Sequence, residues 1–341
     1  MNRRQLLIQS ASALSLAACA PVTQQAGLPD ALFAGPRLED DAIVSFDGAR
    51  LRLQRWLPEG DPWAVIIGLH GMNDYSQAFH LAGPAWAALG IATYAFDQRG
   101  FGGSPQRGIW AGALMLEDLR LCATLLRARH PASLLAVTGV SMGGAVAIAA
   151  MASDRPPDID RVVLAAPAVW GWSSQPLPNK TSLWLMAHTL RGKVLEPPNW
   201  LTRKITPTDN RAELIRMGRD PQMIWGARPD AIYGLVGLME AGYRDVGQIK
   251  VPTAFLYGAH DQIIPRNAAF PASAKLKAGD ISAYYPDGYH LLLVDHAAPR
   301  VWADIVGFLR APDRPLTSAP PTIPTRYTDA YKKDPTARPP S

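Results

Sequence analysis

Apolar positions along this chain follow two rhythms. Near-continuous apolar runs at residues 63–69, 91–96, 133–140, 161–165 and 251–257 read as strands buried on both faces. Residues 281–285 read as a last strand. Between these runs the spacing turns helical. Residues 76–89 carry Phe79, Leu81, Trp86 and Leu89 and end at Gly90. Residues 111–130 carry Leu114, Leu119, Leu125 and Leu126 and stop at Pro131. A small-residue helix is predicted over 145–152 and a closing helix over 295–309. Residues 41–46 and 51–57 flank Asp47-Gly48 and read as a hairpin. Strands alternating with helices predict an α/β fold with a mostly parallel, doubly wound sheet. Ligands of such sheets bind at the carboxyl ends of the strands.

The rhythm fails over residues 168–248. Five of the ten tryptophans lie there (Trp170, Trp172, Trp184, Trp200 and Trp225), with Met186, Met217, Met223 and Met239 among them. Residues 181–195 and 231–243 look like amphipathic helices. The region reads as a helical cap inserted between core segments 39–167 and 249–310. Most of its aromatics would stitch the cap to the core, and a few would line an apolar slot for an acyl chain. Residues 311–341 hold eight prolines and little apolar content, which predicts a disordered tail.

The amino terminus has the order of an export signal: Arg3 and Arg4, an apolar run over 6–18, then small residues. Its ending, Leu16-Ala17-Ala18-Cys19, resembles the lipobox of bacterial lipoproteins. That resemblance implies removal of residues 1–18, acylation of Cys19 and anchoring to a membrane of the bacterial cell envelope, with residues 19–38 as a flexible tether. The second cysteine, Cys122, then has no disulfide partner and reads as a small buried hydrophobe.

The formal charge of +5 falls to +3 once Arg3 and Arg4 leave with the signal. That excess is too small and scattered for a nucleic-acid face. No unbroken run of eighteen apolar residues predicts a transmembrane helix. With 48% apolar and 18% charged residues, a chain of 341 residues can bury a substantial core. No metal-ligand cluster, phosphate-binding glycine loop or nucleotide fingerprint is present, so no metal or cofactor is expected.

The chemistry centres on Gly139-Val140-Ser141-Met142-Gly143. It follows a predicted strand and precedes a predicted helix, the context a nucleophile elbow requires. Asp261 sits just past the strand at 251–257, and His290 just past the last strand. The order Ser…Asp…His is that of α/β hydrolases, and all three lie at one edge of the sheet. Asp287 and Asp295 flank His290 too closely to be the preferred acid. His80 and His188 read as helix residues, His130 as a helix terminus.

Taken with His70-Gly71, the run Asp97-Gln98-Arg99-Gly100-Phe101-Gly102-Gly103-Ser104 and Gly258-Ala259-His260-Asp261-Gln262-Ile263-Ile264-Pro265, the chain resembles the α/β-hydrolase superfamily. Within it the likeness is to the monoacylglycerol lipase, lysophospholipase and serine-aminopeptidase-like group. The resemblance implies Ser141 as nucleophile, His290 as general base and Asp261 as its orienting acid. The amide of Met142 would be one oxyanion donor. By resemblance the amide of Met72 would be the other, with His70 holding its loop and the Asp97–Gly100 turn bracing the site. The expected substrate is a small acyl ester or lipid. A peptidase acting after proline, a C–C hydrolase and a non-catalytic lipid-binding lipoprotein are the alternatives.

Overall fold

The computed structural model describes residues 20–196 and 205–326. Cys19 and the rest of the predicted signal, Trp200, and residues 327–341 lie outside the described residues.

Nine strands form one sheet in the order β1-β2-β3-β5-β4-β6-β7-β8-β9. Strands β1 (Arg37–Leu38), β2 (Ala42–Val44) and β3 (Arg50–Trp56) form an antiparallel edge. Strand β3 pairs antiparallel with β5 (Ile91–Phe96). From β5 through β4 (Ala64–Leu69), β6 (Leu134–Val140), β7 (Arg161–Ala165), β8 (Thr253–Gly258) and β9 (Ile281–Tyr285) all pairing is parallel. The strands therefore fall where the apolar runs predict them. Alternate residues serve opposite faces. Val65, Ile67, Val137 and Phe255 share one buried cluster with residues of helices α2 (Ala113–Arg129) and α3 (Met142–Met151), while Ile66, Ala136, Val163 and Leu256 share another with residues of α1 (Ala82–Ala87) and the closing helix Ala298–Arg310.

The chain leaves β4 in one direction, to β5, and after β5 crosses back to β6 on the other side. That reversal makes the gap between the carboxyl ends of β4 and β6 the topological switch point, where α/β sheets bind ligands. Leu69 pairs with Gly139 there, so His70-Gly71 and Ser141 leave the sheet side by side.

Four expectations need correction. The helix expected over 76–89 is split into a 3₁₀ turn, Ser76–Phe79, and α1. Pro84 has no amide to donate back to residue 80, so a helix run through that point loses a bond and is broken there. The insertion between β7 and β8 is also only partly a cap. It holds α4 (Leu177–Thr189), α5 (Arg211–Arg219) and α6 (Pro229–Asp245), but Ala231, Val236 and Met239 of α6 belong to the main core, and α6 packs on α3 behind the elbow.

The tether reading fails for its described part. Gln24 is buried, and its side-chain amide donates to the carbonyl of Ile109 at 2.9 Å while its main-chain amide donates to Trp110 at 2.7 Å. The disorder expected from residue 311 onward fails up to residue 326. Leu316 and Ile323 are buried, Tyr284 N donates to Pro321 O at 2.7 Å, and Ile323 N donates to Ser282 Oγ at 3.0 Å. A proline-rich strand needs no partners of its own, and here it covers the otherwise open edge of β9.

Among the described residues no helix is long and apolar enough to cross a membrane. Cys122 is buried in α2, and burial pushes its thiol up.

Candidate active site

Ser141 stands between the end of β6 and the first turn of α3 with φ 51° and ψ −116°. That backbone region is strained for a residue with a Cβ, and it persists only where the surroundings enforce it. They do so by close contact. A Cβ on Gly143 would lie 2.2 Å from the Leu69 carbonyl oxygen, and one on Gly139 would lie 2.5 Å from that of Gly143. Only glycine lets the three segments approach this far. Ser141 N donates to Ala165 O at 3.0 Å, and Ser141 O accepts from Gly144, Ala145 and Ala168. The backbone of Ser141 is thus held at both its amide and its carbonyl.

Asp261 and His290 are brought together. Nδ1 of His290 is 2.8 Å from Asp261 Oδ2, and both side chains are buried. The other carboxylate oxygen of Asp261 accepts from the amides of Ile263 and Ile264 at 2.8 and 2.9 Å. A carboxylate only accepts, so Nδ1 carries the hydrogen and Nε2 is left as an acceptor. The two loops are joined around this pair: His260 N donates to Gly288 O at 2.8 Å, and the His260 and Tyr289 rings stack at 4.9 Å.

The loop after β4 lies against Ser141. A Cβ on Gly71 would come 3.3 Å from the Ser141 Cβ. His70 is fully buried, and burial holds its pKa below the ordinary imidazole value, so it stays neutral. Its Nε2 accepts from Gln98 N at 2.9 Å, which leaves Nδ1 to donate to Gly71 O at 2.8 Å. Because the peptide is planar and trans, fixing the Gly71 carbonyl also fixes the opposed direction of the Met72 amide. Gln98 contributes a second bond, from its side-chain amide to His70 O at 2.8 Å. Sequence reasoning placed Gln98 in a bracing turn but did not identify this contact.

The rest of that turn ties the β2–β3 hairpin to α2. Arg99 bridges Asp47 and Asp118 with four hydrogen bonds of 2.7 to 2.9 Å. Burial raises the Asp47 carboxyl, but Arg99 and the amides of Gly27 and Ala49 outweigh it and hold the group down at about 2.

The rival residues are occupied elsewhere. Asp295 accepts from Tyr289 N at 2.8 Å, and burial pushes its carboxyl up to about 6. Asp287 is exposed and 3.8 Å from Arg300. His80 faces Glu213, His130 faces the Tyr94 hydroxyl, and His188 contacts the Trp184 carbonyl. Among the described residues no group of histidine, cysteine and carboxylate side chains could hold a metal ion.

On the insertion, Trp172, Lys180, Thr181, Trp184, Leu185 and Tyr233 line a groove of about 690 Å³. Leu177, Trp184 and Leu185 of α4 are 70%, 53% and 55% exposed.

Known proteins resemble this chain in sequence and in fold. The chain is 23% identical to the monoacylglycerol lipase of Mycolicibacterium smegmatis over 286 residues, covering 79% of this chain and 96% of that protein. It is 25% identical to the monoglyceride lipase of Homo sapiens over 261 residues, covering 73% and 82%. A soluble variant of monoglyceride lipase from Saccharomyces cerevisiae, solved with a substrate analog, superposes with a TM-score of 0.68 at 17% identity, covering 86% of this chain and 99% of that one. The family described as serine aminopeptidase, S33, matches residues 60–297. With its mostly parallel sheet, its serine elbow at the switch point and this match over most of its length, the chain belongs to that family of α/β hydrolases and is a hydrolase.

Proposed function

We propose that the protein cleaves carboxylic esters of long-chain lipids, monoacylglycerols or lysophospholipids, through an acyl-enzyme on Ser141. The observation that carries this reading is the buried Asp261–His290 hydrogen bond, held at the same sheet edge as the strained serine elbow. A serine hydroxyl is a weak nucleophile until a base takes its proton. His290 takes it through Nε2 as Ser141 Oγ attacks the ester carbonyl, and Asp261 stabilises the imidazolium that forms. The tetrahedral oxyanion is met by the amides of Met72 and Met142. Each such donor contributes about 2.7–4 kcal/mol to lowering the barrier. His290 then protonates the leaving alcohol, and water, activated in the same way, releases the fatty acid.

The lipid part of the reading is supported by the apolar groove on the insertion and by the relatives, which are monoacylglycerol lipases. The family description names a peptidase, so peptide amides are the competing substrates. The Cys19 lipobox supports attachment of the mature enzyme to an envelope membrane, where such lipids are found.

The test is hydrolysis of p-nitrophenyl esters, monoacylglycerols, lysophospholipids and aminoacyl amides by purified protein, with a fluorophosphonate probe for the nucleophile. Wild type should label at Ser141 and prefer the acyl lipids. Ser141→Ala should lose labelling and at least ~10³-fold in kcat. Preference for the amides, or retained activity in Ser141→Ala, overturns the reading. Metabolic labelling with palmitate, lost in Cys19→Ser, tests the anchor.

A further inference from the structure

The loop after β4 does more than carry the Met72 amide. Its turn is closed by Asp74 N, which donates to Gly71 O at 3.3 Å, with Asn73 left-handed at φ 66°. The insertion grips this turn from outside. Ile224 N donates to Asn73 O at 3.0 Å, Asn73 Nδ2 donates to Gly226 O at 3.4 Å, and Tyr75 Oη donates to Asp220 Oδ2 at 2.5 Å.

Asp74 is buried beneath these contacts. Its Oδ1 accepts from Tyr75 N at 2.8 Å. The side chain lines a small cavity with Val140, Arg216, Met217, Leu291 and Leu293. Val140 precedes Ser141, Leu291 follows His290, and Arg216 and Met217 belong to α5. One carboxyl therefore lies where the nucleophile strand, the histidine loop, the Met72 turn and the insertion meet.

We propose that Asp74 is a positioning residue of the reaction, the point through which α5 sets the place of the turn that carries the Met72 amide. This rests on the reading of Met72 as an oxyanion donor. Such donors act only within about 2.7–3.1 Å of the developing charge, so a small displacement of the turn is felt in kcat.

The charged groups facing Asp74 are Arg216 on α5, Asp220 just beyond it, and Asp97 at the end of β5. Burial is the dominant influence and pushes the carboxyl up to about 7, with the two aspartates adding to it and Arg216 opposing. Below that pH the group is neutral beside the oxyanion turn. Above it, a carboxylate two residues from Met72 opposes the oxyanion's charge and is drawn toward Arg216. Wild-type kcat should therefore decline on the alkaline side.

The experiment measures kcat and KM on a short p-nitrophenyl ester over about pH 5.5–9.5. Asp74→Ala should lose about 10-fold in kcat with KM within about twofold. Asp74→Asn should recover most of that loss and abolish the alkaline decline. Arg216→Gln should move the decline to higher pH, because the cation that favours the carboxylate is gone. Thermal unfolding and fluorophosphonate labelling report whether each variant is folded, and the Asn and Gln variants carry the test if Asp74→Ala is not. Superimposable wild-type and Asp74→Asn pH profiles, with normal labelling at Ser141, overturn the role of Asp74 alone. A wild type that does not label overturns the parent reading as well.

Discussion

The serine elbow and helix α4 of the insertion lie on the same hydrolase and are built on opposite terms. At the elbow every residue of α3 from Met142 to Ile148 is buried, and the backbone of Ser141 is hydrogen-bonded at both its amide and its carbonyl. On α4 only Leu183 and Ala187 are buried, while Leu177, Trp184 and Leu185 face outward. Reaction chemistry tolerates little displacement, so the elbow is close-packed. Under the proposed function, choice among acyl chains needs apolar area that is free to be covered, and α4 leaves such area open. The contrast implies that changes at the elbow act on kcat or on folding, whereas changes on α4 act on substrate range.

Five substitutions test that contrast, and the largest effect belongs to the arm that serves the elbow. Asp261→Asn presents a donor to Nδ1 and so favours the wrong imidazole tautomer. Steady-state kinetics should show kcat down by about 10⁴-fold, with the fold intact by circular dichroism. A loss below tenfold would break the link between the Asp261–His290 bond and the elbow. Next comes Gly143→Ala, whose new methyl would meet the Leu69 carbonyl at 2.2 Å. Backbone cannot swing aside as a side chain can, so denaturant melts should show a loss of about 4 kcal/mol or failure to fold.

Arg99→Met removes the cation shared by Asp47 and Asp118 and leaves two buried carboxylates unpaired. The expected cost is about 3–5 kcal/mol of stability, seen in the same melts.

A related, smaller effect is pH-dependent. The folded Asp47 carboxyl is held at about 2, below its unfolded value. Its stabilisation is therefore present above about pH 4 and lost as pH falls toward 2. Asp47→Asn should flatten that part of the stability curve.

The smallest effect is expected on the open side. Trp184→Ala should lower kcat/KM for long-chain esters by about 5–10-fold, roughly 1 kcal/mol, and leave acetyl esters within about twofold. An equal loss on both would mean that α4 supports the elbow and does not select substrate.

Much of this was legible in the residues. Val65, Ile67 and Leu69 alternate with Ala64 and Ile66, and buried strands of this kind declare themselves because both faces must be apolar. Gly139 and Gly143 marked the elbow because close backbone approach excludes every other residue. Composition misled in the described segments around Gln24 and after residue 311. Gln24 and Pro321 look solvent-loving in sequence, yet each satisfies backbone groups of the folded body. Helix α5 was missed, although Asn210 caps it by accepting from Glu213 N, because it is only nine residues long and its few apolar residues stand among charged ones.

The chain alone thus determined its parallel sheet, the serine elbow and the order of the chemical groups, since these depend on local pattern and on residues with no substitute. Only the folded structure decided that α6 belongs to the core, that the segments around Gln24 and Pro321 are docked, and that Asp74 lies where four segments meet. Those outcomes depend on which surfaces and unpaired backbone groups distant segments present to one another, and no local window of sequence contains that information.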